Sequence, residues 1–141
     1  MIFAVVAAVA LLAVTATGTW TLRRRLVVVT VRGPSMEPTV YDGDRLLVRV
    51  LPAERLSTGQ VVVLADSSGP HEWIVKRLAA LPGEPVPRDL VPSITDTRVP
   101  GGCLVLLGDN PERSRDSRDA GYFAAGAVLG AAVRRLTPSS G

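Results

Sequence analysis

Residues 2–22 contain no charged side chain, and this run of 21 positions is stopped by Arg23, Arg24 and Arg25. Wound as an α-helix rising about 1.5 Å per residue, such a run reaches roughly 30 Å, the thickness of a bilayer's hydrocarbon core. Residues 1–22 are therefore predicted to form a transmembrane anchor, leaving residues 23–141 to build a separate domain. The rival reading is a cleaved secretory signal. The absence of a basic segment before the apolar run, and the length of the run, favour a retained anchor. Gly18, Thr19 and Trp20 suit the interfacial end of such a helix.

Beyond the arginines the apolar residues fall into short runs, 26–31, 45–50, 60–64, 73–81, 103–107 and 127–136, most of them rich in Val, Leu and Ile. Runs of this length and composition predict strands, and the turn formers between them (Asp42-Gly43-Asp44, Ser67-Ser68-Gly69-Pro70, Leu81-Pro82-Gly83, Pro100-Gly101-Gly102) fit that pattern. The predicted fold class is mainly β, a small barrel or folded sheet. Residues 124–132 have a second reading as a short helix, because alanine is frequent there. The Pro-rich stretch 82–100 reads as a wandering surface connection and 138–141 as a frayed tail.

Composition removes several kinds of chemistry. With one cysteine there is no intramolecular disulfide, and Cys103 with His71, the single histidine, cannot supply the four ligands of a structural zinc site. His71 is expected on an exposed turn and Cys103 buried at the start of a strand, so a nucleophile in this chain needs a base other than histidine. The formal charge is +3, all of it accounted for by the arginine triplet. Basic residues are not interleaved with aromatics, which argues against a nucleic-acid partner.

Of the 16 basic residues 15 are arginine, and Lys76 is the only lysine. A chain that uses arginine wherever it needs a cation keeps lysine where arginine cannot substitute. The chemical difference is titration: a desolvated ammonium can lose its proton and act as a base, whereas guanidinium stays charged. Lys76 follows the apolar Trp73, Ile74 and Val75, which would exclude water from it. The plainer reading is a surviving surface lysine. Ser35 is the matching nucleophile candidate, in Arg32-Gly33-Pro34-Ser35-Met36-Glu37-Pro38-Thr39, where two prolines stiffen the backbone and Gly33 permits positive φ. Its plainer reading is a Pro-rich turn. A third polar segment, Gly108-Asp109-Asn110 continuing to Ser114-Arg115-Asp116-Ser117-Arg118 and Gly121, directly follows the strand-like run 103–107. By itself it reads as a solvated loop with an Asp116/Arg118 ion pair.

Taken together the three segments resemble the type I signal peptidases, membrane-bound serine proteases with a Ser/Lys pair. Residues 33–39 are similar to that family's Ser-Met-x-Pro-Thr nucleophile box, 76–84 to its Lys-Arg box ending in Pro-Gly-acid, and 108–121 to its Gly-Asp-Asn…Ser-x-Asp-Ser-Arg box. Order and spacing agree. The resemblance implies the family's β-rich catalytic core, with Ser35 as nucleophile and Lys76 as general base. Ser114 would orient the amine, Asp116 and Arg118 would pair to hold the loop, and Asp109 would support the same wall. The oxyanion would lie against the Ser35 backbone N–H, beside Gly33, which stands where some relatives carry a hydroxyl donor. Met36, Ile74 and Val75 would line shallow pockets for small residues before the cut, although Met36 also reads as a plain core residue. No cofactor is implied.

The resemblance further implies leader peptides of exported preproteins as substrates and a single-pass membrane location. The stretch 84–99 is short, so this would be a minimal version of the family. Compact relatives include mitochondrial inner-membrane proteases and dedicated maturation proteases, such as one for a nickel superoxide dismutase leader, and the choice between general and dedicated duty stays open. A self-cleaving repressor is disfavoured by the lack of a DNA-binding segment, and a silent β module by the joint presence of Ser35, Lys76, Ser114, Asp116 and Arg118. Arg23 to Arg25, by the positive-inside bias, would keep the domain in the cytoplasm, whereas the resemblance implies the extracytoplasmic side.

Overall fold

The structure, a computed structural model, describes residues 1–23, 25–67, 69 and 72–136, with the side chains of the first helix described as far as Thr15. His71, Arg24, Ser68 and Pro70 of the expected turn, and the tail from Pro138, lie outside the described residues. The predicted N-terminal helix is present as α1, Ile2–Arg23. Among the described residues no helix is long and apolar enough to cross a membrane.

Among the described residues the rest is built around one antiparallel sheet of seven strands: β1 Leu26–Thr30, β2 Arg45–Val50, β3 Val61–Ala65, β4 Trp73–Ala80, β5 Cys103–Leu107, β6 Phe123–Ala124 and β7 Val128–Arg135, in spatial order β1-β2-β7-β3-β4-β5-β6. All six predicted runs form strands. The C-terminal strand β7 is internal and joins the β1-β2 hairpin to the β3-β4-β5-β6 meander. The helical alternative for 124–132 does not hold. One 3₁₀ turn at Ala125–Ala127 leads into β7, where the small side chains suit a strand with neighbours on both sides.

Both faces of the sheet are covered, so the central strands read as continuous apolar runs instead of alternating ones. In β3, Val63 joins a cluster with Val29, Val31, Met36, Leu46, Val48 and Val75. Its neighbours Val62 and Leu64 join a second cluster with Leu78, Leu104, Leu106 and Ala131 on the other side. The stretch 82–100 is more than a surface connection. It buries Val86, Val91, Ile94 and Val99 against Ala80 and Val105. Cys103 opens β5 as expected but is half-buried.

Candidate active site

The segment carrying Ser35 leaves β1 through a closed loop. Val31 exchanges backbone hydrogen bonds with Gly43 and Asp44. Gly33 adopts φ +81°, a left-handed conformation open to glycine at little cost, and donates its N–H to Asp42 Oδ1 at 2.7 Å. Beyond it residues 34–40 coil tightly: Glu37 N–H donates to the Pro34 carbonyl and Val40 N–H to that of Met36, with a cis peptide between Glu37 and Pro38. Met36 is fully buried in the first cluster and pins the coil, leaving Ser35 half-buried at the surface.

Lys76 lies mid-strand in β4, paired in register with the buried Val62 of β3. Only 4% of it is exposed. Burial pushes its pKa below the ordinary lysine value, and the nearby Arg118 cation adds to this, partly opposed by the Asp116 carboxylate. The Lys76 Nζ donates to Ser114 Oγ at 3.1 Å, and Ser114 in turn donates its hydroxyl proton to Asp116 Oδ2 at 2.8 Å. That order makes Ser114 an acceptor toward the amine, so it fixes one N–H of Lys76 and leaves the nitrogen lone pair to point elsewhere.

Asp116 is completely buried and saturated. It accepts from the backbone N–H of Gly108 at 2.7 Å, from Ser114, from the Arg118 backbone at 3.1 Å, and from the Arg118 guanidinium through Nε and Nη2. Burial alone would raise its pKa, but the Arg118, Gly108 and Ser114 hydrogen bonds outweigh that and hold it well below the usual carboxylate range. Asp116 also caps the short helix α2, Ser117–Ala120. Asp109 is also held by hydrogen bonds. Arg77 grips it at 2.8 and 2.6 Å and Thr39 donates to it, which ties the end of the Ser35 coil to the residue after Lys76. These bonds outweigh its partial burial and lower its pKa.

Gly108 brings the pieces into contact. A β-carbon there would sit 2.1 Å from Ser114 Oγ and 2.6 Å from the Ser35 carbonyl oxygen, closer than such atoms approach. The space a side chain would take is used by the Ser35 backbone, which also accepts from Asn110 N–H at 2.9 Å. Gly108→Ala is therefore expected to force Ser35 and Ser114 apart. Thermal unfolding should show a loss of about 1–3 kcal/mol, the usual cost of overpacking, with Gly108→Ser no better.

Ser35 and Lys76 line one cleft of about 670 Å³, together with Gly33, Ile74 and Val75. Ser114, Asp116 and Arg118 form a hydrogen-bonded chain that begins at Lys76 Nζ, and Asp109 is bonded to Arg77 and Thr39. Met36 is the correction: expected to line a substrate pocket, it is fully buried among valines and leucines and is not part of the cleft wall. An unbranched side chain next to a rigid coil fills the core there, its alternative reading. The Gly33 N–H is engaged by Asp42, whereas among the described residues the Ser35 N–H has no acceptor. Arg77, Thr39, Asn110 and Ser117, whose Oγ accepts from the buried Leu106 N–H at 2.9 Å, belong to the same scaffold and were not singled out from sequence. Each lies inside one of the three polar segments. Among the described residues no group of three or more His, Cys, Asp or Glu side chains is arranged to hold a metal ion.

The chain is similar to known proteins over most of its length. The signal peptidase, peptidase S26, family matches residues 1–90 and 87–137. The chain is 34% identical over 112 residues to mitochondrial inner membrane protease subunit 1 of Schizosaccharomyces pombe, covering 75% of this chain and 70% of that protein. It is 33% identical over 119 residues to the subunit 1 of Homo sapiens, covering 80% and 70%. Signal peptidase I of Bacillus caldolyticus is 28% identical over 141 residues, covering 77% and 78%. With its serine and lysine on one cleft and the match running from end to end of the sheet, the chain belongs to the signal peptidase family, peptidase S26.

Proposed function

We propose that the protein is a membrane-anchored serine endopeptidase that removes N-terminal leader peptides from exported precursors, with Ser35 as nucleophile and Lys76 as general base. The observation that carries this reading is the buried state of the only lysine in the chain, its amine hydrogen-bonded to Ser114 in the cleft that Ser35 also lines. An amine with a lowered pKa has a fraction of neutral form near pH 7, and a neutral amine can take the hydroxyl proton. Ser35 Oγ then bonds to the scissile carbonyl carbon, and Lys76 returns the proton to the departing amine as the peptide bond breaks. Water, deprotonated by the same amine, hydrolyses the acyl-serine. The free Ser35 N–H is the donor for the developing oxyanion. Ile74 and Val75 on the cleft wall favour small apolar residues before the cut.

Residues 1–22 serve in this reading as the single-pass anchor and 23–141 as the peptidase domain, on the extracytoplasmic side. The names of the relatives, an inner membrane protease and a signal peptidase, support membrane placement and leader processing. No cofactor enters the chemistry.

Incubation of the detergent-solubilised protein with preproteins bearing Ala-x-Ala leaders, followed by intact-mass analysis, tests the reading. One product cut after the second small residue is expected. Intact precursors throughout a broad panel of leaders would overturn general leader processing.

A further inference from the structure

Several arginines are engaged within the fold. Arg77 grips Asp109, Arg118 grips Asp116, Arg135 reaches Asp44 at 3.3 Å, and Arg88 and Arg98 donate to backbone carbonyls. Three exposed arginines without such a partner stand together on the cleft wall. Arg113 and Arg115 flank Ser114, and Arg32 precedes Gly33, yet none of the three guanidinium groups has a hydrogen-bond or ion-pair partner among the described residues. Asp66 and Glu72 line the same cleft, and neither residue is without a partner in the protein. Uncommitted positive charge therefore remains beside the nucleophile, and it stands on rigid supports. Ser114, between two of the arginines, is locked to Lys76 and Asp116.

We propose that Arg113 and Arg115, aided by Arg32, form a carboxylate-binding subsite that selects substrates with Asp or Glu within a few residues of the scissile bond. This rests on the peptidase reading and deepens it by naming a substrate class. A guanidinium presents a planar fork of donors that matches a carboxylate, and with no internal partner to displace it loses little by binding one. Each exposed pair contributes modestly, so two or three acting together give about a tenfold preference, weakened by salt. The same cations repel a lysine placed at that position in the substrate.

The test uses three fluorescent peptides, identical except for Glu, Gln or Lys within three residues of an Ala-x-Ala cut. Binding is measured by anisotropy on the full-length Ser35→Ala protein in detergent, so the answer does not require turnover. At low salt the Glu peptide is expected to bind about tenfold more tightly than the Lys peptide. The ratio should shrink at high salt, collapse toward one with Arg113→Gln and Arg115→Gln together, and invert with Arg113→Glu and Arg115→Glu. Equal binding of the three peptides, or a Glu preference unchanged in both double variants, overturns the subsite. Cleavage of the same peptides by the unaltered protein tests the peptidase reading separately: cut peptides with no charge preference would leave that reading standing and remove the subsite.

Discussion

Lys76→Arg is expected to reduce leader cleavage by about a thousandfold or more, the contribution of a positioned general base, while the protein still folds, with a lowered thermal transition because the buried position must then hold a permanent charge. The two side chains are similar in length and both cationic, but guanidinium does not lose its proton in the accessible range and so cannot accept one from Ser35. Ser35→Ala should give the same loss, and the double variant should be no worse than either single one, because the two residues act as a unit. Retained activity in Lys76→Arg would remove the lysine from the mechanism. The pH profile carries a second signature. The base is neutral only above its pKa, so kcat/KM should rise with pH, and burial moves that rise below the pH at which an ordinary lysine would titrate. The linked stability has the same sign. Between the lowered folded-state pKa and the ordinary unfolded one the unfolded chain binds more protons, and stability increases with pH across that window.

Asp116→Asn should have the largest effect on stability, about 3 kcal/mol, measured by chemical denaturation at pH 7. The amide keeps the shape but not the charge. One amide oxygen can still serve part of the network, while the NH₂ faces donors from Gly108, Ser114 or Arg118, whichever way the group is turned. Arg118 is left without its counter-ion. The carboxylate's folded-state pKa is depressed, so the stability it contributes is complete above the usual Asp value and is lost as pH falls through the lowered one. The variant should therefore show a flatter acid limb of unfolding. Removing the anion also removes the main influence that raises the Lys76 pKa, so whatever cleavage remains should begin at lower pH than in the unaltered protein. An unchanged pH profile would mean that Asp116 holds the loop without influencing the amine.

Much of this site is legible in the residues because its chemistry is local. Lys76 stands out as the lone lysine, and Ser35 and Ser114 lie in short polar or proline-bounded segments with little else for them to do. The strands are legible for a similar reason, since runs of Val and Leu between turn formers admit few alternatives. What the sequence does not give is pairing across distance. Asp109 engages Arg77 and Thr39, which are 32 and 70 positions away, and no local pattern marks those partners. Met36 is not legible, because a residue beside a nucleophile and a residue filling a core can have the same neighbours in the chain. Which one it is depends on the valines of β1 and β2 closing over it. The packing of stretch 82–100 is hidden in the sequence because its apolar residues are spaced between prolines, yet together they cover Ala80 and Val105.

The position of β7 sets a timetable for the newly made protein. Ser35 emerges with the first hairpin, and Lys76 and Ser114 with the strands that follow, but the two groups belong to halves of the sheet that only β7 stitches together. The stitching strand spans Val128–Arg135 and is the sheet neighbour of both β2 and β3, so a chain without it lacks the pairing that joins those two edges. A ribosome that stalls before residue 128 leaves behind a chain carrying every candidate catalytic side chain but not the strand that joins the two halves.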